Sequence, residues 1–304
     1  MRNFRKSLLT AVTLIVLSFS MSYSSEPGIG LNDAHLLELG GSAKQATSSP
    51  LPNLKFVSYN IRWRSGDELR ELARLFETDP EIGGAAVLAL QEVDRNKKRS
   101  GNKNSARLLA AALGMHYAWA APPSVRGAEE ETGVTILSRY PLSEVRRLVL
   151  PHKGPGGRRR VALGATVKIG ATKVRVYSVH GETRIPVDRK LEQMQAVLDD
   201  LARHPATMPA AIMGDFNTWE PAAVTKTFKL FGDAGFHTPF EREPTFRRRV
   251  LLVPIELKLD WIWLRKLSVS SYGIDQKIDL SDHWPLWINL SDKLQPTGDF
   301  ATSH

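Results

Sequence analysis

The sequence predicts one mixed α/β domain that extends from residue 54 to about residue 292. Apolar runs of strand length alternate with runs in which apolar residues recur every three or four positions, and this is the pattern of interleaved strands and helices. The chain has 304 residues, of which 42% are hydrophobic and 24% are charged, so it can bury a core of that size. Disorder of the whole chain is excluded.

In the first half of the domain, the strand-like runs are LKFVSYN (54–60), AAVLALQE (85–92), HYAWAA (116–121) and GVTILSR (133–139). The helix-like runs between them are DELRELARLFE (67–77) and SARLLAAALG (105–114). In the second half, RVALGATVKIG and TKVRVYSVH alternate strictly and flank a turn at Gly170, which predicts an antiparallel hairpin. A helix is expected over residues 186–203, a strand over 210–217, a helix from about Glu220, and strands over 259–264 and 283–290.

Outside the domain, residues 1–24 have the pattern of a signal peptide: basic residues, an apolar stretch over 8–19, and small residues placed for cleavage. The alternative is an uncleaved anchor, although the stretch is shorter than the roughly 20 residues of a spanning helix. Residues 25–53 are rich in Gly, Ser and Pro and read as a flexible leader, and residues 293–304 read as a tail. The expectation is export, to a periplasmic or extracellular location.

The formal net charge of +9 stays positive without residues 1–24. Basic runs at 158–160 and 247–249 are either solvated loop charge or sites for phosphate-bearing partners, and Arg158 and Arg159 are the candidate phosphate-binding residues. The chain contains no Cys, which excludes disulfides and thiolate metal sites.

Acid, amide and imidazole side chains stand at the ends of the apolar strands, where burial alone would not place them. The set consists of Asn60, Glu92, His180, Asp215, Asn217, Asp260, Asp282 and His283. Taken singly, each has an ordinary structural alternative, as a turn or helix cap, a surface acid or a partner in an ion pair. Their joint recurrence at strand ends favours a ligand site at one rim of the sheets.

Seven segments occur along the chain in the order SYNIR, LQEVD, VTILSRYPL, VYSVHGE, MGDFN, LDWIW and SDHWPL. In this order they resemble the endonuclease/exonuclease/phosphatase superfamily, which includes secreted deoxyribonucleases, abasic-site endonucleases, neutral sphingomyelinases and inositol-polyphosphate 5-phosphatases. The resemblance runs from about residue 54 to about residue 290. It implies a four-layer α/β/β/α sandwich of two packed mixed sheets with flanking helices, and a divalent metal at one end of the sheets.

The resemblance also implies a ligand set for that metal. Glu92 would bind Mg²⁺ or Mn²⁺, and Asn60 and Asp282 would complete the shell directly or through water. Hard oxygen ligands of this kind suit either ion.

The remaining positions correspond to the groups that act on the phosphodiester. Asp215 would orient or deprotonate the attacking water, while Asn217 and His283 would donate to phosphate oxygens. His180 would stabilise or protonate the leaving oxygen, and Asp260 would hold His283 in one tautomer. Some local sequence departs from the family pattern: Arg62 stands where the abasic-endonuclease branch often has an acid, and Val134 replaces an amide.

The expected activity is metal-dependent hydrolysis of phosphodiester bonds by a monomer. Basic charge favours a nuclease, whose partner would be nucleic acid. The alternatives are a phosphodiesterase or phosphatase that acts on a phospholipid head group or a small organic phosphate, and an inactive phosphate-binding module. The last is disfavoured because no candidate catalytic position is replaced by an inert residue.

Overall fold

Two mixed β-sheets packed face to face form the centre of the protein. The computed structural model describes residues 31–41, 54–123, 131–250 and 253–291. All α-helices and strands in these ranges belong to the unit that begins at His35. The strands are β1 Leu37–Gly40, β2 Leu54–Asn60, β3 Val87–Arg95, β4 His116–Ala120, β5 Glu131–Ser138, β6 Leu142–Val149, β7 Val161–Ile169, β8 Thr172–His180, β9 Ala210–Asp215, β10 Phe246–Val250, β11 Val253–Leu257, β12 Asp260–Arg265, β13 Val269–Ile274 and β14 Leu286–Leu290.

The α-helices are α1 Gly66–Thr78, α2 Ser105–Leu113, α3 Val187–Leu201 and α4 Pro221–Asp233, and short 3-10 helices lie at Leu31–Leu36, Lys98–Ser100 and Pro155–Gly157. Each α-helix has one apolar face, as the spacing of its apolar residues predicts. None of the helices in the described ranges is long and apolar enough to cross a membrane.

The larger sheet has seven strands in the order β1-β4-β5-β3-β2-β14-β13, and the smaller has five in the order β12-β9-β8-β7-β6. Each sheet contains one parallel pair, β2 with β3 and β8 with β9. The other neighbours in both sheets are antiparallel. Strands β10 and β11 form a separate two-stranded sheet.

Buried apolar clusters join these layers. A cluster that contains Phe56 and Met213 fills the space between the two sheets. A second cluster, with Val57, packs the larger sheet against α1 and α2. A third, with Ile212, packs the smaller sheet against α3 and α4. Neighbouring residues on one strand therefore serve opposite faces, and the predicted four-layer α/β/β/α sandwich is confirmed.

The structure differs from the sequence prediction at the edges of the sheets. Within the predicted leader, residues 37–40 form the edge strand β1, which pairs with β4. Strands β6, β10, β11 and β13 were not predicted, because edge and hairpin strands are half exposed and lack a continuous apolar run. Residues 1–24, which carry the predicted signal peptide, and 293–304, the predicted tail, lie outside the described residues.

Candidate active site

The two parallel strand pairs bring three of the predicted side chains to one rim, and an antiparallel neighbour adds a fourth. Because parallel strands end at the same edge, Asn60 at the end of β2 lies opposite Gln91 of β3. In the facing sheet, His180 at the end of β8 lies opposite Asp215 at the end of β9. Strand β12 runs antiparallel to β9, so that its first residue, Asp260, also pairs with Asp215.

A β-bulge turns Glu92 toward this rim. The register of β3 against β5 shifts between Gln91 and Val93, and Glu92 has a φ of 56°, in the left-handed region. A bulge re-aims the side chain of its extra residue, and backbone strain of this kind is commonly found at functional sites. The Glu92 carboxylate accepts hydrogen bonds from Trp63 Nε1 at 3.0 Å and Asn60 Nδ2 at 3.4 Å.

Asn60 joins the two sheets at the rim. Its amide Nδ2 also donates to Asp215 Oδ2 at 3.1 Å, and its Oδ1 accepts from the backbone N–H of Arg62. One amide therefore contacts the acid of β3 and the acid of β9, and it fixes the separation between them.

Asp215 lies at the centre of the site and is 2% exposed. Its Oδ1 accepts from the backbone N–H of Asn217 at 3.0 Å. Burial raises the pKa of this carboxyl to about 7, against the opposing effect of His283. A carboxylate with that pKa can accept a proton near neutral pH.

Gly214 allows β9 to approach β8 closely just before Asp215. Its φ is 143°, and a Cβ at this position would lie 2.0 Å from the carbonyl oxygen of Val179. The residue before the central acid must therefore be glycine, because any side chain would push the two strands apart.

His283 is held by Asp260. The imidazole Nδ1 lies 2.8 Å from Asp260 Oδ2, and the same oxygen accepts a 2.8 Å hydrogen bond from Thr245 Oγ1. Burial alone would lower the pKa of His283, but the carboxylates of Asp260 and Asp215 outweigh it and raise the pKa to about 10. His283 is therefore an imidazolium at neutral pH, and its Nε2–H lies 3.8 Å from Asp215 Oδ2.

His180 is held by an arginine. Arg160 Nη1 donates to His180 Nδ1 at 3.2 Å, so Nδ1 is the acceptor and the proton of the neutral ring is on Nε2. Burial, together with the charge of Arg160, lowers the pKa of His180 well below its ordinary value. Its Nε2 lies 3.6 Å from Asp215 Oδ2 and 4.0 Å from Glu92 Oε1.

Glu182 anchors that arginine. The fully buried Glu182 carboxylate accepts from Arg160 Nε at 3.2 Å and from two nitrogens of Arg158, at 2.6 and 3.0 Å. Burial opposes its ionisation, but these two arginines hold the pKa of Glu182 below its ordinary value. Of the two predicted phosphate-binding residues, Arg158 is thus paired with Glu182, and Arg159 is half-buried with no side-chain partner in the described residues.

Asn217 lies beside Asp215, and Asp282 lies near the rim. Asn217 Nδ2 donates to the backbone oxygen of Gly181 at 3.1 Å, which leaves one of its two hydrogens for a ligand. The carboxylate of Asp282 lies 3.2 Å from Arg62 Nη1. The departure from the family pattern at position 62 therefore places a cation against one of the predicted metal ligands.

Two groups at this rim offer oxygen atoms to a cation. Carboxylate oxygens of Asp215 and Asp260 lie within 4.8 Å of each other and of a His283 ring nitrogen, but the His283 imidazolium has no lone pair and is not a ligand. Asp260 Oδ1 is buried and has no hydrogen-bond partner among the described residues, so a cation would satisfy it. Glu92, which is partly exposed, and the buried Asn60 form the second group. Carboxylate and amide oxygens without thiolate are the donors of hard divalent ions, and the residues fit such an ion.

Four contributors to the site were not predicted: Arg160, Glu182, Thr245 and Trp63. Arg160 stands in the basic run 158–160, and the register of the β7–β8 hairpin would have distinguished it from its two neighbours because Val161 pairs with His180. Thr245 and Trp63 lie in segments without a periodic pattern, so local sequence gives no signal for them.

Comparisons with known proteins show the family and the fold of this chain. The model of the Endonuclease/Exonuclease/phosphatase family matches residues 57–283. No curated protein sequence matches the chain.

Among solved structures, an endonuclease/exonuclease/phosphatase family protein from Leptotrichia buccalis is 17% identical with a TM-score of 0.62, covering 78% of this chain and 99% of its own. TDP2 of D. rerio, complexed with a single-strand DNA product, is 18% identical with a TM-score of 0.61, covering 79% of this chain and 99% of its own. The human Nocturnin catalytic domain with a bound sulfate anion is 19% identical with a TM-score of 0.58, covering 84% of this chain and 97% of its own. At these identities the likeness shows the fold.

Proposed function

Because the chain belongs to the endonuclease/exonuclease/phosphatase family, we propose that it hydrolyses phosphodiester bonds with the help of a divalent metal ion. The observation that carries this proposal is the surroundings of Asp215 Oδ2. Asn60 Nδ2, His180 Nε2 and His283 Nε2 lie 3.1, 3.6 and 3.8 Å from it. A carboxylate surrounded by three N–H groups at a strand rim supports the role of Asp215 as a base that faces a bound phosphate.

In the proposed reaction, Asp215 orients the attacking water and accepts its proton. The imidazolium of His283 donates from Nε2 to a phosphate oxygen and stabilises the negative charge that grows in the transition state. As the P–O bond to the leaving group breaks, the neutral ring of His180 stabilises the leaving oxygen through a hydrogen bond from Nε2, and that oxygen takes its proton from solvent. Asn217 has one amide hydrogen left for a second phosphate oxygen.

Glu92 and Asn60 would hold Mg²⁺ or Mn²⁺, and the ion would supply positive charge to the phosphate oxygens. Asp282 would contribute through Oδ1, because its Oδ2 is paired with Arg62. Asp260 does not touch the substrate in this scheme. It acts on His283, which it keeps protonated and oriented through the 2.8 Å contact to Nδ1.

Nucleic acid is the first substrate class, because the chain is basic and the similar TDP2 of D. rerio is complexed with a single-strand DNA product. A phospholipid head group is the second, because aliphatic side chains are exposed on the hairpin beside the site, with Val253 64% and Ile255 39% exposed. The pattern of residues 1–24 further supports an exported enzyme, and the N-terminus of the mature protein, measured by mass spectrometry, tests that point.

The test of the chemistry is steady-state kinetics of the purified protein with Mg²⁺ on plasmid DNA, RNA, phospholipid and a chromogenic phosphodiester. We expect chelation to abolish turnover and Mg²⁺ or Mn²⁺ to restore it. Asp215→Asn and His283→Ala should each lower kcat by on the order of a hundredfold with little change in KM.

Asp188→Asn is the matched control, because this aspartate on α3 has a side chain that is 77% exposed. It should keep the kcat of the wild type. Turnover in excess chelator would contradict the metal requirement, and wild-type kcat in both core variants would contradict the assignment of the site.

A further inference from the structure

The hairpin formed by β10 and β11 is built differently from the rest of the protein. It spans residues 246–257, with the sequence FRRRVLLVPIEL, and its strands pair with each other in a sheet of their own. A two-stranded hairpin is marginally stable in water by itself, so this one depends on its contacts with the rest of the protein.

The base of this hairpin is fixed to the candidate active site. Phe246 forms an isolated bridge with His283, and the two ring centroids are 5.0 Å apart. The backbone N–H of Arg247 donates to the carbonyl oxygen of Asp282 at 2.8 Å, and Trp284 N–H donates to Thr245 O at 2.7 Å. The hairpin therefore projects from the same rim that carries the site.

Its surface combines cations with exposed aliphatic side chains. Arg248 lies opposite Ile255 and Arg249 lies opposite Pro254, and all four residues are exposed. Val253 is 64% exposed and Ile255 is 39% exposed. Three arginines stand against one acid, Glu256. Exposed aliphatic groups gathered in this way cost free energy in water and mark a contact surface.

We propose that this hairpin docks the protein on an anionic lipid surface. Arginines bind lipid phosphates, and anionic head groups attract a local excess of positive charge. Aliphatic side chains next to those arginines enter the boundary of the acyl chains, as the apolar face of an interfacial segment does. The charge of the hairpin and its exposed valine and isoleucine match the two parts of such a surface.

The composition of the hairpin favours lipid over nucleic acid. Binding of single strands relies on aromatic side chains that stack on bases. The one aromatic residue in this segment, Phe246, packs against His283 at the base. The exposed uncharged side chains are aliphatic, and such groups gain nothing from a phosphate backbone.

The test is sedimentation of the purified protein with phosphatidylcholine vesicles, with and without phosphatidylglycerol. We expect binding that depends on phosphatidylglycerol and falls as salt is raised. Arg248→Gln with Arg249→Gln should lower the partition coefficient roughly thirtyfold, from the loss of two charges near the surface. Val253→Ser with Ile255→Ser should lower it roughly tenfold and leave the salt dependence in place.

The matched control is Lys168→Gln with Lys173→Gln, which removes the same charge. These lysines lie opposite each other on β7 and β8 near the turn that joins the two strands, at the end of β8 that is far from His180. The control should bind vesicles within about twofold of the wild type. Melting curves of all variants check that each one is folded.

Binding to a duplex oligonucleotide but not to vesicles would overturn the proposal, and so would an equal loss in the lysine control. Docking does not depend on the proposed hydrolysis. The Asp215→Asn variant should bind vesicles as the wild type does, and therefore failure of docking and failure of the chemistry are separate results.

Discussion

Replacing Arg160 by methionine tests the hydrogen bond that holds His180 in one tautomer. Methionine keeps a long apolar stem but removes the donor to His180 Nδ1 and one of the partners of Glu182. Arg158 remains paired with Glu182 through two hydrogen bonds, so the buried carboxylate keeps a cation. The fold should survive, and the loss should fall on the imidazole.

The expected size follows from the bond that is lost. A hydrogen bond from a charged donor contributes about 1.5–3 kcal/mol, and about 1.4 kcal/mol corresponds to a factor of ten. Without this donor, the proton of His180 can occupy Nδ1, and the ring then presents a lone pair where the leaving oxygen needs a donor. We expect kcat to fall by about tenfold to a hundredfold, with KM changed by less than about threefold.

The assay is steady-state kinetics on the phosphodiester that the wild type cleaves best, together with nitrogen NMR of the histidine rings. Arg160→Lys should recover part of kcat, because an ammonium can reach one of the two partners but lacks the planar fork of the guanidinium. Arg159→Met is the matched control, because Arg159 has no side-chain partner in the described residues. It should keep kcat and act, if at all, on KM.

Wild-type kcat in Arg160→Met would refute the role of Arg160 in positioning His180. An equal loss in Arg159→Met would also refute it, because the effect would then come from the net charge of the loop. NMR spectra that show the same tautomer of His180 with and without Arg160 would remove the physical basis of the argument.

Two further predictions concern stability. Burial lowers the pKa of Lys258 from 10.5 to about 8. The unfolded chain therefore holds the lysine proton more firmly than the folded protein does, and the free energy of unfolding rises with pH between these two values. Below pH 8, burying the charged lysine costs the folded protein the full amount, about 3 kcal/mol. A cation–π contact with Trp261 at 4.5 Å offsets about 1 kcal/mol of this cost. Lys258→Met should therefore raise the free energy of unfolding, measured by urea titration, by about 2 kcal/mol at neutral pH. A gain that stays the same in alkali would contradict this. Gly214→Ala should lower the free energy of unfolding by about 3 kcal/mol, because the new Cβ would lie 2.0 Å from the carbonyl oxygen of Val179. The control is Gly232→Ala in α4, where the new Cβ would meet no atom within 4 Å, and it should raise the free energy of unfolding by up to about 1 kcal/mol. Equal melting temperatures for the two variants would show that the approach of β9 to β8 is not tight.

The layers of the fold could be predicted from local patterns because the central strands are covered on both faces. Residues 210–213 form a continuous apolar run, and Ala211 and Ile212 pack against different layers. Edge strands such as β6 and β13 have no such run, because half of each strand faces water. The hairpin of β10 and β11 was read only as a basic run, since its pairing depends on a register that local sequence does not specify.

The sequence alone predicted those side chains of the rim that directly follow or precede a strand, because each such strand is defined by its own neighbours, but it missed Arg160, Glu182, Thr245 and Trp63. It could not determine the state of the side chains that it predicted. His180 and His283 are both histidines beside apolar strands, yet His180 is neutral and His283 is charged. The difference lies in what packs on Nδ1, an arginine 20 residues away for one and an aspartate 23 residues away for the other. Protonation depends on the charges and the solvent within a few ångströms, and only the tertiary structure brings those charges together.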